Sequence, residues 1–225
     1  MVENALLRQR MERFRTEATL YPVSCEKLAL GRSDDEWLAA VLAGGARIVQ
    51  LRDKESDDRT LYDKARRFRA RTREAGALFI VNNRVDVALA AGADGVHLGN
   101  TDLPAEAVRR LAPDLIIGLS CNTPEQARTA GERGASYYNI GPLFATATKQ
   151  GLSSFLGSRS IPAFSAGSDL PFTVMGGIKL HHVAELTGLG ARRIAVVTAL
   201  TRAPDIAAET RKWIEAIDKG GKHVD

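Results

Sequence analysis

Residues 88–100 read Ala-Leu-Ala-Ala-Gly-Ala-Asp-Gly-Val-His-Leu-Gly-Asn, and this stretch decides the fold. A helical pattern ends at Gly92-Ala93, a short run over 94–98 reads as a strand, and polar residues close it. Glycine takes the left-handed conformation that ends a helix, and alanine is small enough for a tight entry into a sheet. The same junction recurs at Gly45-Ala46, Gly134-Ala135 and Gly190-Ala191. Working outward from these, the apolar runs predict strands over 19–24, 46–51, 78–81, 94–98, 114–119, 136–140, 171–175 and 192–197, and the four junctions precede the second, fourth, sixth and eighth. Runs such as Leu115-Ile116-Ile117-Gly118-Leu119 and Ile194-Ala195-Val196-Val197 are continuously apolar, as in parallel strands covered on both faces.

Between the strands, Ser33 with Glu36 and Thr123 with Gln126 form capping-box patterns, and Pro124 stands at a favoured first helical position. Leu61, Ala65 and Phe68, and later Ile206, Thr210, Trp213 and Ile217, repeat at helical spacing and predict helices with one face on a sheet. Regular αβ units predict a single-domain α/β fold, a (β/α)8 TIM barrel over 18–219. An open doubly wound sheet has the same element counts. Leu7, Met11 and Phe14 predict an extra N-terminal helix within 1–17, capping the barrel bottom or a neighbouring subunit, and residues 220–225 read as a frayed tail.

Composition narrows the function classes. The 225 residues are 44% hydrophobic and 26% charged, which permits a sizeable core and argues against disorder. No apolar run approaches the roughly 20 residues that span a bilayer, and the first residues lack signal-peptide features, so no membrane partner and a cytoplasmic location are expected. The net charge of +4 is scattered, with Arg66, Arg67, Arg69 and Arg71 reading as a solvated helix face. Aromatics at 6% are too sparse for base stacking, so no nucleic acid is expected; a small anionic substrate suits the charge. Cys25 and Cys121 build no disulfide framework or metal site and read as small buried hydrophobes.

In such a barrel the active site lies at the carboxyl ends of the strands. Gln50, Arg52 and Lys54 alternate to one side of the second strand's end, where two cations can hold a polyanion; the plain alternative is ion pairing with Asp53 and Glu55. A polar loop over 141–169 reads as a lid, or else an inert insertion, with two threonine hydroxyls beside Lys149. Gly176-Gly177 after the seventh strand and Thr198 after the eighth match the common phosphate site of these barrels. Asp102 suits Mg2+ shared with phosphate oxygens, or a cap for a helix beginning near Pro104. His97 reads as a core or hydrogen-bonding histidine, and His181-His182 as the start of a surface helix. No Ser/His/Asp or Cys/His pairing is legible, so covalent nucleophilic catalysis has no support. The residues thus describe two anion subsites, for two phosphorylated small molecules or one doubly phosphorylated one.

The motifs QLRDK (50–54), VNNRVDVAL (81–89), GADGVHLGNTDL (92–103), GLS (118–120), GPLFATATK (141–149) and MGGI (175–178) resemble, in order, those of the thiamine phosphate synthase family, which joins the two halves of thiamine. The resemblance covers roughly 18–215. It implies that Arg52, Lys54, Asn82 and Lys149 hold the pyrophosphate of hydroxymethylpyrimidine pyrophosphate, with Ser120 nearby and Gln50 at the pyrimidine. Thr146, Thr148, Gly177, Val197 and Thr198 would bind the phosphate of hydroxyethylthiazole phosphate, and Asp102 would ligate Mg2+. Arg52, Lys54, Ser120 and Lys149 would carry the catalysis. The family's reaction is dissociative: pyrophosphate leaves the pyrimidine methylene and the thiazole nitrogen captures the resulting cation.

Three departures stand out. Asn83 replaces the family's metal-binding aspartate, leaving Asn83 and Asp102 as the metal pair. Val23-Ser24-Cys25-Glu26 lacks the usual Thr-Asp pair after the first strand, and 152–170 is short where a helix is expected. The alternatives are a thiazole tautomerase-like isomerase of the same family, favoured by Asn83 but not by Asn122 where that relative carries histidine, and a non-catalytic phosphate-binding barrel. A homo-oligomer is left open.

Overall fold

The protein is described from a computed structural model over residues 4–146 and 155–221. Eight strands alternate with helices: β1 Leu20–Pro22, β2 Ile48–Leu51, β3 Leu78–Asn82, β4 Gly95–Leu98, β5 Ile116–Cys121, β6 Tyr137–Ile140, β7 Phe172–Val174 and β8 Ile194–Val196. The helices are α1 Ala5–Thr16, α2 Asp34–Ala43, α3 Asp58–Glu74, α4 Val85–Ala90, α5 Ala105–Leu111, α6 Pro124–Thr129, α7 Ile161–Ser165, α8 Val183–Gly188, α9 Thr198–Thr201 and α10 Ile206–Gly221.

Every strand pairing is parallel, in the order β1-β8-β7-β6-β5-β4-β3-β2. The first strand therefore lies beside the last, which an open doubly wound sheet does not allow. The remaining seam is closed by a parallel bridge between Val23 and Gln50, with Ser24 N donating to the Gln50 carbonyl at 2.9 Å. The result is a (β/α)8 barrel with a thin β1–β2 seam.

Strand residues alternate between two cores. Val49, Phe79, Val81, Ile117 and Tyr138 face the helices, while Tyr21, Ile48, Leu78, Ile80, Ile116, Tyr137 and Ala195 fill the barrel interior. Both capping boxes form, at Ser33/Glu36 and Thr123/Gln126. On α3, Leu61, Ala65, Phe68 and Thr72 are buried, and the opposite face carries ion pairs such as Arg67–Asp35 at 2.8 Å. Gly45, Gly92, Gly134 and Gly190 all have positive φ, and Gly76, ahead of Ala77 and β3, adds a fifth such junction.

The N-terminal helix α1 closes the floor of its own barrel. Phe14, fully buried, packs tilted against Tyr137 with ring centroids 4.7 Å apart, and burial of such a side chain contributes about 1.5–3 kcal/mol. Arg10 reaches Asp94 at 3.3 Å and the Asp114 carbonyl at 2.7 Å, and Arg193 donates to the carbonyls of Phe14 and Arg15. At the other terminus the structure corrects the expected tail: α10 runs through Gly220 and Gly221. A Cβ on Gly220 would lie 2.2 Å from Thr187 Oγ1, so the glycine that looks like a helix breaker lets α10 pack against α8. Residues 222–225 lie outside the described residues.

Candidate active site

A cavity of about 390 Å³ opens at the carboxyl ends of the strands, and each of the eight contributes to its wall. Gln50, Arg52 and Lys54 come from the end of β2, Asn82 and Asn83 from β3, Asp102 from beyond β4 and Ser120 from β5. Thr146, Gly177, Val197 and Thr198 line the facing side. The fold thus gathers eleven of the thirteen expected site residues around one space. The other two, Thr148 and Lys149, lie outside the described residues, as does the middle of the expected lid. The expected loop does not run to 169 as irregular chain: Leu156 N donates to the Pro142 carbonyl at 3.0 Å and Gly157 N to the Leu143 carbonyl at 2.9 Å, and helical turns begin at Ser158. Beyond it, a 3-10 turn over Ser158–Ser160 and the short α7 stand where a longer helix was expected.

At the β2 end, the carboxylates nearest in sequence to these cations are engaged elsewhere. Asp53 accepts from Lys64 Nζ at 2.7 Å, from Ser56 Oγ at 2.7 Å and from the backbone N–H groups of Glu55 and Ser56, while Glu55 pairs with Lys27. Burial pushes the Asp53 carboxyl up, but these hydrogen bonds outweigh it and hold the group well below its ordinary range. Among the described residues, neither Arg52 nor Lys54 pairs with a carboxylate, so both charges face the cavity unneutralised. Arg52 is anchored through its backbone N–H to Ser24 Oγ at 3.0 Å, so Ser24 gives the first strand's end a polar anchor without the Thr-Asp pair.

Glu26, Asp34 and Asp53 converge closely enough to suggest a metal site, but the Lys64 ammonium sits among them, 3.3 Å from Asp34 and hydrogen-bonded to the other two. Burial raises the Asp34 carboxyl to about 6 against the pull of Lys64. The ammonium offsets part of the negative charge of this cluster and ties it to the loop that carries Arg52 and Lys54.

The expected metal pair is in contact. Asn83, with φ +64°, donates Nδ2 to Asp102 Oδ1 at 2.9 Å, and Asp102 Oδ2 accepts from Gly99 N at 2.6 Å. Asparagine tolerates this left-handed backbone better than most residues. Asp102 does not cap α5, whose N-cap is Pro104 with no side-chain bond.

On the opposite wall, close backbone packing builds the cradle. Phe144 N donates to the Gly176 carbonyl at 2.9 Å, and a Cβ on Gly177 would lie 2.3 Å from the Ala145 carbonyl oxygen. Gly177 has φ +63°, so both conformation and space require glycine. Backbone N–H groups at the loops after strands seven and eight are the usual phosphate donors of this architecture. Asn122, where a tautomerase is expected to carry histidine, donates Nδ2 to the Gly141 carbonyl at 2.6 Å and pins the start of the β6 loop.

His97 hydrogen-bonds through both ring nitrogens. Its Nε2 lies 3.1 Å from Ser120 Oγ, and its Nδ1 lies 2.9 Å from the Tyr137 hydroxyl. Burial lowers its pKa to about 4, so the ring is neutral at pH 7. Asn139 also lines the cavity and accepts from the Thr173 hydroxyl at 2.8 Å. His97 is thus the hydrogen-bonding histidine that the sequence suggests, whereas Asn139 has no sequence signal of its own; register places it, since Ser120, Asn139 and Thr173 are aligned across β5, β6 and β7.

The profile of the family described as thiamine monophosphate synthase matches residues 20–200. A thiamine-phosphate synthase of Pelotomaculum thermopropionicum is 44% identical, covering 87% of this chain and 90% of that protein. One from Moorella thermoacetica is 41% identical over 89% of this chain and 96% of its own length. Among solved structures, a thiamine phosphate pyrophosphorylase from Pyrococcus furiosus superposes with a TM-score of 0.85 at 33% identity, covering 92% of this chain and 98% of that one. Among the described residues, no helix is long and apolar enough to cross a membrane.

Proposed function

The chain belongs to the thiamine monophosphate synthase family and is a thiamine-phosphate synthase, a transferase, and on that premise we propose how its cavity divides the reaction. Hydroxymethylpyrimidine pyrophosphate binds with its diphosphate at Arg52, Lys54, Asn82 and Ser120, and its ring at Gln50. Hydroxyethylthiazole phosphate binds with its phosphate on the opposite wall, at Thr146, Gly177, Val197 and Thr198. Lys149 and Thr148 join the two groups through the β6 loop. The observation that supports this reading is the pair of cations, Arg52 and Lys54, which among the described residues have no carboxylate partner and line the same cavity as the glycine cradle.

The chemistry follows from that division. The C–O bond between the pyrimidine methylene and the diphosphate breaks, and its electron pair leaves with pyrophosphate. The thiazole nitrogen then gives its lone pair to the methylene carbon, forming the C–N bond of thiamine phosphate. No proton moves at that nitrogen, so no general base is needed. Arg52, Lys54 and Lys149 stabilise the charge that grows on the leaving group, and the glycine cradle holds the thiazole nitrogen in line.

Asn83 and Asp102 supply hard oxygen donors suited to Mg2+: a half-turn of the Asn83 amide sets its Oδ1 beside the Asp102 carboxylate, and Mg2+ commonly takes few protein ligands besides substrate phosphates. When bound, the ion neutralises diphosphate charge. The deciding experiment is formation of thiamine phosphate from the two substrates with and without Mg2+. Metal-dependent product is expected. Absence of product together with aromatisation of a thiazole carboxylate phosphate would transfer the chain to the tautomerase reading.

A further inference from the structure

Five side chains from five different strands form one line of hydrogen bonds through the barrel. Gln50 Nε2 donates to the Tyr21 hydroxyl at 2.9 Å, Tyr21 lies 3.1 Å from the Tyr137 hydroxyl, Tyr137 lies 2.9 Å from His97 Nδ1, and His97 Nε2 lies 3.1 Å from Ser120 Oγ. Gln50 and Ser120 line the cavity, whereas Tyr21 and Tyr137 are buried beneath it. The barrel makes room for the line: a Cβ at Gly118 would lie 2.4 Å from the Tyr137 hydroxyl oxygen and 2.5 Å from His97 Nδ1.

Counting protons leaves two arrangements. Each hydroxyl and the neutral imidazole have one proton to give, and a reversal at Tyr21 or Tyr137 would strand a phenol O–H without an acceptor in the barrel interior, so the two arrangements in which every link points the same way are the ones that use every buried proton. If the Gln50 amide N–H points to Tyr21, then Tyr21 donates to Tyr137, Tyr137 to His97 Nδ1, and His97 Nε2–H to Ser120. The Ser120 proton is then turned to the cavity. If the amide is reversed, every link reverses, and Ser120 spends its proton on His97 and offers the cavity only lone pairs. An anion at Ser120 selects the first arrangement. An exocyclic amino N–H of the pyrimidine donating to Gln50 Oε1 selects it too, because it leaves Nε2 for Tyr21.

We propose that Tyr21, Tyr137 and His97 are positioning residues that lock this line in one direction, so that recognition of an aminopyrimidine ring at Gln50 and of its diphosphate at Ser120 reinforce one another. The proposal rests on the assignment of Gln50 and Ser120 to the pyrimidine substrate made above. Burial keeps both phenols protonated and the imidazole neutral, which preserves the proton count.

The test reads the His97 tautomer by 15N NMR in protein labelled at its four histidines, with His97→Gln identifying the signals. With inorganic pyrophosphate bound, His97 is expected to carry its proton on Nε2; a proton on Nδ1 overturns the proposal. Tyr137→Phe is expected to mix the tautomers and to lower kcat about tenfold, leaving KM for the thiazole phosphate unchanged. In a Ser120→Ala background the same substitution should have no further effect; independent, multiplying losses overturn the proposal. Tyr21→Phe, which breaks the line one link earlier, should repeat the kcat loss. Failure of the wild type to form thiamine phosphate would refute the functional assignment, while the tautomer with pyrophosphate bound would still decide the direction of the line.

Discussion

Replacing Asn83 with aspartate reverses the electrostatics of the metal pair, and the structure sets the size of the effect. In the natural chain, Asn83 Nδ2 donates to Asp102 Oδ1 at 2.9 Å. Asn83→Asp removes that bond, worth about 1.5–3 kcal/mol because its acceptor is charged. It also sets two carboxylates roughly 4 Å apart, which repel by about 4 kcal/mol at an effective dielectric near 20. Both side chains are half-buried and can turn apart, which leaves a net loss of about 2 kcal/mol without metal. In a chain of 225 residues this lowers Tm by about 4–8 °C. Aspartate tolerates the left-handed backbone nearly as well as asparagine, so backbone strain does not confuse the result. With Mg2+ the sign reverses, since the added charge attracts the ion and should tighten its binding about 10- to 100-fold. Calorimetric melting with and without Mg2+, alongside direct titration of the ion, reads both limbs. A variant that melts like the natural protein in both conditions and binds Mg2+ no better would refute the assignment of this pair.

Lys64→Met leaves Glu26, Asp34 and Asp53 without their shared ammonium and should cost about 3 kcal/mol or more at pH 7. Asp34, whose carboxyl burial already raises, then loses the ammonium that pulls it down, so the Tm deficit it carries is present above its folded pKa and shrinks as pH falls towards 4. A deficit that grew on acidification would contradict this account. Gly177→Ala forces a Cβ to within 2.3 Å of the Ala145 carbonyl oxygen at a positive φ, and should raise KM for the thiazole phosphate about tenfold or more while sparing the pyrimidine substrate. Equal changes in both KM values would show that the cradle does not hold the thiazole phosphate. Lys149→Ala should cut single-turnover rates by at least about a hundredfold, and a near-natural rate would remove Lys149 from the leaving-group site.

The sequence revealed most where a single residue type obeys a local constraint. Gly45, Gly92, Gly134 and Gly190 take positive φ for a reason internal to each αβ junction, so the strand count could be read directly. Gly76 belongs to the same series. The cavity residues were legible because strand ends in this architecture share one face, which makes position along the strand sufficient. What could not be read depends on which strands lie side by side. Tyr21, His97 and Tyr137 look like ordinary interior residues until the barrel closes and brings β1, β4 and β6 across one another. Lys64 reads as one more cation on a basic helix, yet it holds three carboxylates from distant segments. Gly220 misled because its role is set by Thr187 on another helix and not by its own neighbours in sequence.

The floor helix α1 has a consequence for how the chain is made. It precedes every strand of the barrel in sequence, and its side chains and carbonyls meet partners far downstream: Asp94, Asp114 and, just ahead of β8, Arg193. Phe14 has no buried berth until β6 has delivered Tyr137. The helix therefore spends nearly the whole of synthesis exposed, and its docking reports that the last strand has joined the first. A sticky apolar stripe waiting that long is an opening for chaperones and for mispairing between nascent chains, and an early truncation product would carry it permanently uncovered.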